Sequence, residues 1–287
     1  MAHIAELLAA GPTISFEFFP PKTDEMERSL ALALTRLAPL RPSFVSVTYG
    51  ALGSTKARTR EIVLQVNAEN TFPAMPHLTC VGHSRADLVE LLDTYRAGGI
   101  DNILALGGDP PADGSDPGGE YTYALELAEL VREVGGFGLA VAAQPELHPR
   151  SPDRDSDRRH LAEKLELADY AITNFFWDAK HYVRLVEDLA AIGCDKPVIP
   201  SVMPFINVPG VLRMSEVNGT HVPDDLRARM EAVDGDPKAV RILGEDVATA
   251  LCVDLLAAGA PGLHLYTMNR SLSVRNVLKN LGLRQHG

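Results

Sequence analysis

Two acidic residues stand where chemistry could be done. Glu17 lies within Phe16-Glu17-Phe18-Phe19-Pro20-Pro21, flanked by large apolar side chains. A carboxylic acid set among apolar groups keeps its proton to higher pH, because the charged form loses solvation, and can then act as a general acid near neutrality. The competing reading is a carboxylate paired with a hidden Arg or Lys. Asp109 follows Ala105-Leu106-Gly107-Gly108 and precedes Pro110-Pro111. Two glycines there let backbone approach a flat ligand closely, although Asp-Pro is also a common turn. His77 and His148 are the two of nine histidines that fall near this chemistry. Neither belongs to an HxH or HExxH spacing, so a metal centre is not expected. No GxGxxG opens a helix, no GxxxxGK[ST] occurs, and GxSxG is absent, so any nucleotide must be held by loops of another kind.

The elements that must position these residues alternate regularly. Eight short β-rich runs are predicted at Ile14–Phe19, Phe44–Tyr49, Ala74–Cys80, Asn102–Leu106, Gly138–Ala143, Tyr170–Phe176, Pro197–Met203 and Gly262–Met268. Their starts are spaced by roughly 30 residues, the length of one βα unit, except before the last. The intervening segments carry one apolar stripe each. Leu88, Leu91, Leu92 and Tyr95 follow a candidate N-cap, Ser84, and end at Gly98-Gly99; Leu127, Leu130, Val131 and Val134 repeat the phase, as do Tyr182, Leu185, Val186 and Leu189. Eight such units predict a single-domain α/β fold over residues 1–287, a (βα)8 TIM barrel, rather than an open doubly wound sheet. The long interval at about 205–238 is expected to form an insertion over the mouth, with two short helical patterns. In a barrel, function sits at the C-terminal strand ends. Those positions read Glu17, Thr48-Tyr49, His77, Asp109, Gln144-Glu146-His148, Asn174, and Tyr266 with Asn269 and Arg270. Polar residues at nearly every strand end point to one shared site.

The chain has 287 residues and a net charge of −11, which argues against a nucleic-acid partner, since duplex binding relies on Lys and Arg. The stretch Arg150 to Arg159 interleaves Arg154, Arg158 and Arg159 with Asp153, Asp155 and Asp157 and reads as a solvated, mixed-charge loop. Cys80, Cys194 and Cys252 have no CxxC spacing and fit reduced thiols of the cytoplasm. The start MAHIAELLAAGPT is too short and polar for a secretion signal, and no apolar run approaches the ~20 residues that span a bilayer. Self-association into a homo-oligomer is left open.

Several segments together resemble methylenetetrahydrofolate reductases. They are Ser15-Phe16-Glu17-Phe18-Phe19-Pro20-Pro21-Lys22, Phe44 through Ala51, Pro76-His77-Leu78-Thr79-Cys80, Gly108-Asp109, Val141-Ala142-Ala143, Pro145-Glu146-Leu147-His148-Pro149 and Leu265 through Arg270. The match runs in order over nearly the whole chain. The resemblance implies a barrel with FAD at its mouth, reduced by NADH or NADPH. The flavin passes hydride to 5,10-methylenetetrahydrofolate and yields 5-methyltetrahydrofolate, a methyl source for methionine synthesis. It further implies that Glu17 is the general acid, that Asp109 binds the pterin beside the flavin, and that Asn174, Tyr266 and Arg270 meet the folate. Thr48, Tyr49, Ala51, His77, Gly108, Asp109, Ala124, His148, Ser151, Asp157 and Lys164 fall on cofactor-contacting positions.

The departures from that pattern are concentrated. Gly107 stands where relatives carry Arg, Gln144 where many carry an aromatic residue, Glu163 beside Lys164 in place of another Arg, and a residue near Val208 in place of Phe. Losing two charge-assisted contacts of about 1.5–3 kcal/mol each would weaken FAD by roughly a hundredfold or more. Two other readings follow: a flavin-independent reductase of the same substrate, and a catalytically silent folate-binding paralogue.

Overall fold

A computed structural model describes residues 2–49, 56–108 and 118–283, with the backbone alone at 56 and 57. Eight parallel strands close into a barrel in sequence order: β1 (Thr13–Phe18), β2 (Phe44–Val47), β3 (Ala74–Thr79), β4 (Asn102–Leu106), β5 (Gly138–Ala143), β6 (Tyr170–Phe175), β7 (Val198–Val202) and β8 (Gly262–Tyr266). The ring is completed by β1 against β8, with Ser15 opposite His264 and Glu17 opposite Tyr266. The expected (βα)8 architecture is therefore present, each strand lying within two residues of its predicted limits at either end.

Strand alternation sorts the core into two shells. Outward residues such as Phe16, Phe18, Val45, Ile103, Leu139, Leu263 and Leu265 join helix residues Leu30, Leu88, Leu92, Leu127, Val131, Leu161 and Leu185 in the main apolar layer. Those helix residues come from α2 (Asp24–Leu37), α4 (Arg85–Ala97), α5 (Ala124–Val134), α6 (Arg154–Leu167) and α7 (Ala179–Ala191). Ser84 caps α4 as predicted, accepting from Asp87 N in a capping box. Inward residues Phe44, Met75, Leu104, Ala140, Tyr170, Ile172 and Ile199 fill the lower barrel. That fill includes Ile4 from α1 (Ile4–Ala10), which lies across the base. The α1 helix is pinned there by Asn102 on β4. Its Oδ1 accepts from Ile4 N at 2.8 Å and its Nδ2 donates to Ala2 O at 3.2 Å.

Between β7 and the long α10 (Pro237–Ala257) the chain forms α8 (Val208–Asn218) and α9 (Asp224–Val233). Their buried residues Val208, Val211, Leu226 and Met230 pack with Phe175, Trp177, Met203 and Phe205 beside the ends of β6 and β7. Trp177 Nε1 donates to Ser215 Oγ at 3.2 Å. The interval thus holds two helices, as its two short helical patterns predicted. Val208, near which the family pattern departs, serves in that packing. A glycine sets how close α10 comes: a Cβ on Gly244 would meet Phe205 O at 2.0 Å.

One expectation is corrected. The charged stretch from Arg150 does not stay a solvated loop, because Asp153 caps α6 by accepting from Ser156 N and residues from Arg154 onward are helical. Asp157 and Arg158 are buried. Arg158 donates to the carbonyls of Gln144, Pro145 and Glu146 at 3.1, 3.0 and 3.0 Å and to Asp188 at 3.1 Å. Helical winding puts two residues of an alternating charge run on the inner face, where carbonyls at the end of β5 await donors.

Candidate active site

Glu17 occupies the upper barrel interior, its side chain 13% exposed. Phe16 and Phe18, 0% and 1% exposed, do not surround it: they point outward against the helices. The sequence-neighbour argument for an apolar setting is therefore corrected, since adjacent strand residues face opposite ways. What faces Glu17 comes from other strands. His77 Nε2 on β3 lies 3.6 Å from its Oε2, and His264 Nε2 on β8 lies 3.4 Å from the same oxygen. Among the described residues these two histidines face that carboxyl, and no Lys or Arg pairs with it. Burial holds the His77 imidazole down at about 4, against a smaller upward pull from Glu17. His77 is thus neutral at pH 7, and its Nε2 has no hydrogen-bond partner among the described residues. The Tyr266 hydroxyl is pushed well above its ordinary value, by burial first and by the Glu17 charge second.

Beside Glu17, a cavity of about 1190 Å³ opens over β2 to β6. Its walls carry Thr48, Tyr49, His77, Gly108, Ala124, His148, Ser151, Asp157, Lys164 and Asn174. Those are all the described positions that the resemblance assigns to the cofactor, together with Asn174. Ala51 and Asp109 lie outside the described residues. Glu17, Tyr266 and Arg270 are not in that wall and cluster on the β1–β8 side. Arg270 is exposed just past β8, in a turn where its N donates to Thr267 O at 2.8 Å.

Each wall residue is held by its element. Gly108 has φ +96° and a Cβ there would meet Thr79 at 3.1 Å, so backbone alone faces the cavity. Tyr49 Oη pairs with His83 Nε2 at 2.9 Å. Ser151 Oγ donates to Asp157 Oδ1 at 3.0 Å. Lys164, one face of α6 below the cavity, donates to Ala142 O at 2.9 Å. Burial brings its ammonium down to about 8, partly opposed by Asp157. Gln144 accepts from Asn174 Nδ2 at 2.6 Å and donates to Asn218 O at 2.8 Å. The Asn174 amide is thus aimed by Gln144. Glu163 is exposed on the rim. At Gly107 the missing side chain leaves room that is partly used: Arg150 Nη2 stands 3.7 Å from where a Cβ would be.

Sequence reasoning missed His264, Ser15 and Ser46, which lie inside the barrel under Glu17, and the buried Arg158. A usable signal existed for His264. It sits two residues before Tyr266 on the same strand face, in a run otherwise read as uniformly apolar.

Residues 2–282 match the family model described as methylenetetrahydrofolate reductase. The chain is 36% identical over 272 residues to a 5,10-methylenetetrahydrofolate reductase of Pectobacterium carotovorum subsp. carotovorum, covering 94% of this chain and 90% of that one. It is 34% identical to the 5,10-methylenetetrahydrofolate reductase of Escherichia coli (strain K12), covering 94% and 91%. Against methylenetetrahydrofolate reductase (NADH) 1 of Arabidopsis thaliana it is 37% identical over 94% of its own length and 48% of the plant protein's. Among solved structures, a protein from Clostridium thermocellum that binds two copies of 5-methyl-5,6,7,8-tetrahydrofolic acid superposes with a TM-score of 0.67. Coverage there is 96% of both chains at 13% identity, a likeness of fold.

Proposed function

The chain belongs to the methylenetetrahydrofolate reductase family, and from that premise we propose a reaction for the mouth of its barrel. A nicotinamide cofactor reduces 5,10-methylenetetrahydrofolate to 5-methyltetrahydrofolate there, by way of FAD. The observation that carries this reading is the placement of Glu17, a mostly buried carboxyl at the edge of a cavity large enough for a dinucleotide. The name of the plant relative favours NADH as the reductant. The three free thiols and the absence, among the described residues, of a helix long and apolar enough to cross a membrane fit a protein of the cytoplasm.

The walls fit a flavin. Gly108 offers backbone to a flat ring, a cradle that a Cβ would fill. His77 presents an orphaned buried nitrogen. Lys164 is a cation within reach of phosphate once its bond to Ala142 O is exchanged. Thr48, Tyr49, Ala124, His148, Ser151 and Asp157 complete the wall, and Asp109 and Ala51 are assigned to it by resemblance. FAD, when bound, supplies the two-electron relay between nicotinamide and folate.

The chain's own residues handle the proton. The substrate carries its one-carbon unit as a cyclic aminal, which accepts hydride poorly. Glu17 protonates the bridging nitrogen; the ring opens to an iminium, which accepts hydride readily. Asn174, aimed by Gln144, and Tyr266 line the approach, with Asp109 on the pterin and Arg270 set to meet the anionic glutamate tail.

Freshly purified protein should be yellow, with flavin absorbance released on denaturation, and should consume NADH and form 5-methyltetrahydrofolate when the methylene substrate is added. Colourless protein that consumes NADH only with that substrate present would select direct hydride transfer, a reading that the loss of cations at Gly107 and Glu163 would then explain. Folate binding without turnover after FAD is supplied would sink the enzymatic reading.

A further inference from the structure

Below Glu17 lies a histidine that the reaction as described leaves unused. His264 is fully buried on β8 and stacks on Phe44, ring centroids 5.8 Å apart at 15°, so its ring is held in one orientation. Nδ1 is 2.7 Å from Ser15 Oγ. Nε2 is 3.1 Å from Ser46 Oγ and 3.4 Å from Glu17 Oε2.

Ser15 has one hydroxyl proton and two acceptors in reach, Leu263 O at 3.2 Å and His264 Nδ1 at 2.7 Å. Nδ1 is the nearer of the two, and a proton placed there makes Nδ1 the accepting nitrogen. A neutral imidazole with Nδ1 accepting carries its hydrogen on Nε2. That hydrogen is shared between Ser46 Oγ and Glu17 Oε2.

We propose that His264 is the positioning residue of the proton donor: its Nε2–H holds Oε2 of Glu17 as the accepting oxygen and leaves Oε1 to carry the acid proton. The inference rests on the function proposed above. In the transfer, the Oε1–H bond breaks and an N–H bond forms on the bridging nitrogen of the folate. The acid proton is replaced from solvent at the mouth. A neutral acid is a weak acceptor. The carboxylate left behind is a strong one, and a charge-assisted bond runs nearer about 2.7–2.9 Å. His264 therefore favours the state after transfer over the state before it, which is the condition for lowering a barrier.

The polar and titratable groups found here against Glu17 are Ser46 from β2, His77 from β3, and His264 and Tyr266 from β8. Three measurements test the proposal. In isotopically labelled wild-type protein, the ring nitrogen shifts of His264 should report hydrogen on Nε2; hydrogen on Nδ1 would overturn the assignment whether or not the enzyme turns over. Ser15→Ala and His264→Leu should each lower kcat for folate reduction at least about tenfold with little change in KM for folate. They should also move the alkaline limb of the pH profile upward, because Glu17 gives up its proton less readily. His264→Asn, whose amide can still donate, should recover part of kcat. An equal loss in the Asn variant with an unmoved pH limb means a merely structural role and overturns the proposal. Should the His264 variants fail to fold, Ser15→Ala decides by its pH limb alone. Wild-type protein without folate reduction counts against the proposed function, not against the tautomer.

Discussion

One ionisable group in the cavity wall responds to pH through its burial. Lys164 sits below the ordinary lysine range, at about 8, because burial disfavours its charge. An ammonium that is lost above that pH cannot attract a pyrophosphate. FAD affinity, measured by titration at pH 7 and pH 9, should fall by about tenfold or more at the higher pH, whereas Lys164→Met should bind weakly at both. Glu17→Gln should retain cofactor binding and lose folate reduction by about a hundredfold or more. Unchanged turnover in that variant would remove Glu17 from its role. Part of this scale was legible beforehand: the described positions assigned to the cofactor line one cavity. The reason offered for Glu17 was not, because sequence neighbours on a strand are not spatial neighbours. Its surroundings are histidines from β3 and β8, a long-range fact that no local window contains. His264 escaped notice because a single polar residue in an apolar strand looks like noise until the barrel closes around it.

Elements were easier to read than contacts. Every predicted strand is present, and the Ser84 cap was visible from its type and place. The mixed-charge run failed because sign alternation says nothing about phase on a helix, and α6 buries Asp157 and Arg158. A join between elements also went unseen. Past β8, Met268 and Asn269 adopt positive φ of 50° and 52°. The buried Asn269 side chain clasps the loop after β1: it accepts from Phe19 N at 3.1 Å and donates to Phe19 O at 2.8 Å. Asn tolerates that backbone better than most residues do. Asn269→Ala removes both bonds and leaves two backbone groups without partners, a destabilisation of about 2–4 kcal/mol. A melting temperature within a degree of wild type would show that the clasp is dispensable.

At the scale of the whole molecule, acid should loosen the barrel through His77. The unfolded chain takes up a proton near 6.5, whereas the buried imidazole refuses it until about 4. Stability is therefore full above about pH 6.5 and declines as pH falls toward 4, by about 3 kcal/mol from this group. His77→Asn should flatten that part of the denaturation-midpoint curve, and an unchanged slope would assign the acid sensitivity elsewhere. The base of the barrel offers an independent check: Ile4→Ala removes a fully buried side chain from the interior fill and should destabilise by about 2–5 kcal/mol.

That stopper at the lower rim governs traffic as well. With α1 seated on Asn102 and apolar side chains filling the space above it, the described residues leave no passage through the base of the barrel. Reactants that come in over the opposite rim compete for the same space. Excess of either reactant should then slow turnover by idling in the entrance, and a rate that climbs to a plateau with both, free of such crowding, would mean that they enter by separate ways.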